Sequence, residues 1–104
     1  MGVTTQSTVD VTELECEGRL LRFKKSVAVE VQPGEDAHGL WIPLFQLGAA
    51  GRDEAEAWEM LADLVISAYE DYRGKPKIPL HKSAITQRKA LFAAVSGYYI
   101  RQSA

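Results

Sequence analysis

Few side chains in this sequence could do covalent or metal chemistry, and they stand far apart. Cys16 is the single cysteine, and the two histidines are His38 and His81. A zinc site needs such ligands clustered, whereas one histidine here falls in a turn and the other in a proline-containing linker. A thiol nucleophile needs a base within hydrogen-bond reach. Cys16 instead alternates with Leu14 on an apolar strand face, the setting of a small core residue. The carboxylates of ELECE and those at 56, 59, 63 and 70 are spaced for solvent rather than as a paired acid and base. No Gly-rich phosphate loop, Walker sequence or G-x-S-x-G elbow is present. The expectation is a non-catalytic protein with no metal and no cofactor.

Charge is the second chemical feature. The net value of −2 hides a split. Residues 1 to 72 hold 14 acidic and 5 basic side chains, a net of −9. Residues 73 to 104 hold Arg73, Lys75, Lys77, Lys82, Arg88, Lys89 and Arg101 with no acid, a net of +7. Such asymmetry speaks of partners more than of fold. Either the basic tail folds back on the acidic part, or one of the two halves meets a partner of opposite sign.

These charges must be carried by a small framework. The 104 residues make one domain, with 46% apolar and 25% charged residues, an ordinary globular composition. No apolar run approaches the roughly 20 residues needed to cross a bilayer. MGVTTQSTVD lacks the basic start and apolar core of a signal peptide, and residues 1 to 9 read as a disordered lead-in. One cysteine allows no internal disulfide, so the cytoplasm is the expected location.

Period-2 alternation predicts the strands. In VTELECE (11–17), Thr12, Leu14 and Cys16 share one face, with Val11 among the glutamates on the other. Gly18-Arg19 then turns the chain. LLRFKKSVAVEVQ (20–32) puts Leu21, Phe23, Val27, Val29 and Val31 on one face, with Lys25 interrupting the row. PGEDAHG (33–39) is a turn by composition. LWIPLFQL (40–47) reads as a third strand, at an edge or bulged because Pro43 cannot donate to a ladder. Gly48 and Gly51 end it.

GRDEAEAW (51–58) is a strand-to-helix junction. Asp53 is placed to cap the helix, and Glu56, three residues on, has the capping-box spacing to reach back to the Asp53 amide. The helix, about 53 to 72, carries Ala57, Trp58, Leu61, Leu64, Val65, Ala68 and Tyr72 as its apolar stripe; Glu56, Glu59, Asp63 and Glu70 face solvent. Gly74 and Pro76 end it. GKPKIPL (74–80) is a linker, or a short edge strand around Ile78. A second helix is predicted over Ser83 to Arg101, with Ser83 as its cap.

This order, three strands and then a helix opened by Gly-x-x-Glu-Ala, resembles the HicB-like family, the antitoxin half of HicA/HicB toxin–antitoxin pairs. The likeness covers about residues 27 to 72. It rests on the turn Asp36-Ala-His-Gly39, the strand Trp41-Ile-Pro43, the loop glycines Gly48 and Gly51, and the helix opening Glu54, Glu56 and Ala57. The sequence departs from the family in its extra N-terminal strand. After Gly74 it has one helix, too little for the DNA-binding helix-turn-helix of many members.

The sequence thus predicts an α+β fold: an antiparallel sheet of three or four strands, one amphipathic helix packed on it, and a C-terminal helix. The resemblance implies an antitoxin that masks a small basic ribonuclease, with Glu56, Glu59, Asp63 and Trp41 as partner-binding residues. Two alternatives stand beside it. One is a small nucleic-acid-associated protein using Lys75, Lys77, Lys82, Arg88 and Lys89. The other is a homo-oligomeric assembly subunit. Trp41 lies opposite Leu40 and Ile42 in alternation, so a second subunit is expected to cover one sheet face or edge, giving a homodimer.

Overall fold

The computed structural model describes residues 7–74 and 81–101. It is an α+β fold in which an antiparallel sheet carries two helices. The strands are β1 (Ser7–Cys16), β2 (Arg19–Gln32), β3 (His38–Ile42), β4 (Leu47–Gly51) and β5 (Val95–Ile100); the helices are α1 (Glu54–Arg73) and α2 (Lys82–Ala94). The sheet order is β1-β2-β3-β4, and β5 pairs with the first part of β2 on the side that β3 uses further along. β1 begins at Ser7, so residues 7 to 9 of the expected lead-in are strand. The segment 75–80, with the edge strand expected around Ile78, lies outside the described residues.

β1 and β2 form a hairpin whose closing residues, Glu17 and Gly18, both have positive φ (51° and 75°). A two-residue turn with both φ values positive matches the right-handed twist of the strands it joins. The turn is therefore Glu17-Gly18, and Arg19 already belongs to β2. Further along, Val11 pairs with Val27 but Glu13 pairs with Arg22. This irregularity flips the alternation of β1. Val11, expected among the glutamates, packs against the core, and Thr12, expected inside, is exposed. On β2 the same irregularity leaves Lys24, Lys25 and Ser26 exposed between buried Phe23 and Val27.

The stretch 40–47 is not one strand but a hairpin, β3 and β4, with Ile42 paired to Leu47. Pro43 has no N–H to give a ladder. Gln46 takes a left-handed φ of 53° and donates its amide to Pro43 O at 3.3 Å. The turn then drives Phe45 into the core, where its ring lies 5.8 Å from that of Phe23. Gly48 and Gly51, expected in a loop, are inside β4.

α1 starts as predicted. Asp53 is the N-cap, and its carboxylate accepts from the Glu56 amide at 2.8 Å. Glu56 does not reach back to Asp53; it accepts from the Arg52 amide at 3.1 Å and from the Arg52 guanidinium. Ala57, Leu61, Ala62, Val65 and Ile66 form the buried stripe. Leu64, expected in that stripe, is 39% exposed.

The second helix is shorter than predicted. It ends at Ala94, and VSGYYI continues as β5 rather than to Arg101 as helix. Valine, isoleucine and two tyrosines favour a pleated surface, and Gly97 is a poor helix residue. The first part of β2, paired with β1 on one edge, supplies the ladder from its other edge, with Leu20 opposite Tyr99 and Leu21 opposite Tyr98. The N-cap of α2 is His81, without a side-chain cap bond, and Ser83 lies within the helix. Gln87 tethers α2: it donates to Phe45 O at 2.9 Å and accepts from Tyr72 Oη at 2.6 Å. One core results, filled by Leu21, Val29, Ile42, Phe45, Leu61, Val65, Ile66 and Leu91.

Candidate interaction surface

The helices and the core occupy one face of the sheet. Strand register identifies what stands on the other. Glu13 pairs with Arg22, Glu15 with Leu20, Asp10 with Ala28, Glu30 with Trp41, Trp41 with Gly48, and Leu20 with Tyr99. These side chains project away from the buried residues Leu14, Leu21, Val29, Leu40 and Ile42 of the same strands. Asp10, Glu13, Glu15, Arg22, Trp41 and Tyr99 are exposed there.

Two aromatic rings lie on this face, each over a glycine. Trp41 is 40% exposed and Tyr99 51%. A Cβ built at Gly48 would stand 2.7 Å from Trp41 Cε3 and 2.9 Å from Leu40 O. The indole therefore lies flat against the β4 backbone, and glycine at 48 is required for that approach. Tyr99 sits over Gly97 in the same way, with its hydroxyl 2.6 Å from where a Cβ would be. Arg22 links the two charge signs of the face. Its guanidinium is 5.7 Å from the Tyr99 ring centre and 3.6 Å from a Glu13 oxygen. Trp41 pairs with Glu30, and Tyr99 shares a recess with Glu15; rings seated on backbone can stack on planar or cationic groups. Nothing in the arrangement supplies a nucleophile or a proton-transfer pair.

Of the three α1 acids expected to bind a partner, Glu56, Glu59 and Asp63, two are already engaged within the chain. Glu56 is held by Arg52, and the hydrogen bonds from the Arg52 side chain and amide lower its pKa. Asp63 accepts from Arg19 at 2.6 Å and from Ser67 at 3.3 Å. Glu59 is exposed. The structure therefore does not gather Glu56, Glu59 and Asp63 with Trp41 on one surface, because Trp41 is on the face opposite α1.

Arg19 instead organises the joint between the β1–β2 hairpin and α1. It donates to Asp63 and, at 2.7 Å, to Glu70. These two carboxylates hold its pKa above the usual guanidinium value. Glu70 also accepts from Tyr98 Oη, which raises the Tyr98 pKa. Arg73 then lies 4.9 Å from the Tyr98 ring centre. Cys16 is buried beside this cluster, and burial, followed by the nearby Asp63 charge, pushes its thiol pKa up. That is the opposite of what a reactive thiolate needs. Among the described residues, no group of three or more His, Cys, Asp or Glu is close enough to hold a metal ion.

The predicted basic residues divide too. Lys75 and Lys77 lie outside the described residues. Lys82 and Lys89 are exposed on α2, while Arg88 is half-buried with its guanidinium 5.1 Å from the Phe92 ring centre. Sequence reasoning missed Lys24 and Lys25. They line a trough of about 440 Å³ with Leu44 and with Ala90, Ala93 and Ala94 of α2. The signal was the lysine that breaks the apolar row of β2.

The fold class these features define is α+β, with a sheet covered on one side among the described residues. No family model matches the chain, and no curated protein or solved structure shows significant similarity to it. No helix among the described residues is long and apolar enough to cross a membrane.

Proposed function

We propose that this protein is a non-catalytic binding module whose open sheet face docks a basic protein. The carrying observation is the pairing on one face of two glycine-seated rings, Trp41 and Tyr99, with the exposed carboxylates Asp10, Glu13 and Glu15. Tryptophan and tyrosine are enriched at binding hot spots, and the acids steer a cationic partner during encounter. The resemblance of residues 27 to 72 to the HicB-like family supports an antitoxin reading, in which the partner is a small basic ribonuclease. The acids that meet the partner are then those of β1.

Full-length protein immobilised in extract of the source cell, with and without nuclease, tests the reading. A small basic protein retained in near-equal amount after nuclease, and lost with Trp41→Ala or with Glu13→Lys/Glu15→Lys, is the expected result. Nucleic acid captured without a stoichiometric protein overturns it, most directly if Lys82→Gln/Lys89→Gln abolishes the capture. That second reading has its own observation, the exposed Lys24 and Lys25 that β2 sets against α2, and it requires binding that falls steeply with salt.

A further inference from the structure

β1, β4 and β5 each present an edge that no described residue pairs. An unpaired edge offers a row of backbone donors and acceptors to any strand of suitable register, and proteins guard such edges with charge. The three edges are guarded unequally. β1 carries Asp10, Glu13 and Glu15, all exposed. A second β1 laid antiparallel about the middle of the strand would set Asp10 against Glu13 of the other copy, and like charges directly opposite are destabilising. β5 is flanked by cations: Arg22 over Tyr99, Arg73 over Tyr98, and Arg101, whose amide donates to Gly18 O. Two copies joined there would bring those arginines together. β4 is Leu47-Gly-Ala-Ala-Gly51, with neither charge nor proline.

We propose that the chain forms a two-fold dimer by antiparallel pairing of β4 with β4 of a second copy, centred on Ala49. In that register Ala49 faces its own mate, Gly48 faces Ala50, and Leu47 faces Gly51, so no charged pair is opposed. Beside this edge α1 exposes Met60 (46%) and Leu64 (39%), which line one recess with Gly48, Ala49, Asp63 and Ser67. The same two side chains of the second copy meet them across the axis. Asp63, the acid of that recess, is already paired with Arg19 at 2.6 Å, so the two copies do not oppose bare carboxylates. A two-fold contact closes on itself, whereas pairing the acidic edge of β1 with the cationic edge of β5 would propagate without end. The dimer sets two open faces side by side on one continuous sheet. It stands independently of what the open face binds.

Sedimentation velocity of the full chain from low to high micromolar concentration tests the proposal. The expected result is a reversible monomer–dimer equilibrium. Met60→Glu/Leu64→Glu replaces two exposed helix residues by a good helix former, so the fold is retained and the dimer weakens by about tenfold or more. Residues opposite one another in an antiparallel pair have Cα atoms about 4.5–5.5 Å apart, within disulfide range. Mild oxidation of Ala49→Cys therefore yields a covalent dimer, and Glu13→Cys does not. A monomer at every concentration overturns the proposal. So does a dimer that crosslinks through β1 and not through position 49.

Discussion

The two faces of the sheet are built by the same alternation and both carry large apolar side chains, yet they use them differently. On the covered face Leu21, Val29 and Ile42 interlock with Leu61, Val65 and Ile66 of α1, and Phe45 closes the layer from the β3–β4 turn. Each of these side chains touches neighbours on every side. On the open face Trp41 and Tyr99 rest on the bare backbone of Gly48 and Gly97, with Glu30 beside Trp41 and with Arg22 and Glu15 beside Tyr99. Burial on the first face holds the fold together. The rings on the second are seated on backbone yet remain 40% and 51% exposed, which suits recognition.

If that contrast is right, mutations on the two faces separate stability from binding. Phe45→Ala on the covered face should cost about 3–5 kcal/mol, the usual range for removing a buried phenylalanine. Urea unfolding would measure it, and a loss below about 1 kcal/mol would mean that the turn is not part of the core. Gly48→Ala on the open face should cost about 1–3 kcal/mol, since its methyl collides with both the indole and Leu40 O. The Trp41→Ala/Gly48→Ala double variant should recover much of that loss, because the ring is one of the two obstacles.

The smallest effect should come from the joint between β5 and α1. Glu70 raises the Tyr98 pKa above its unfolded value, so the protonated hydroxyl is favoured by folding. The contribution is complete below the ordinary tyrosine pKa of about 10 and is lost as pH rises through the folded value. Stability measured across that alkaline range should fall more steeply in the native chain than in Tyr98→Phe. Equal slopes would show that the hydroxyl is not linked to folding.

Local chemistry was legible in the sequence wherever neighbours along the chain decide the outcome. Asp53 caps α1 because its partner amide is three residues away. The alternation of Leu21, Phe23, Val27 and Val29 named the covered face because every second side chain of a strand points one way. Trp41 was legible as the odd residue between Leu40 and Ile42. What tertiary structure alone decided depended on distant partners. VSGYYI became β5 because β2 had free length to pair with it, not because its own residues forbade a helix. Val11 and Thr12 exchanged faces at an irregularity set by the opposing strand. Arg19 found Asp63 and Glu70, 44 and 51 residues away, and so removed Asp63 from the surface on which it was expected to act. Spacing fixes what each residue can do with its near neighbours, and the packing of β2 against α1 fixed which charges remained free.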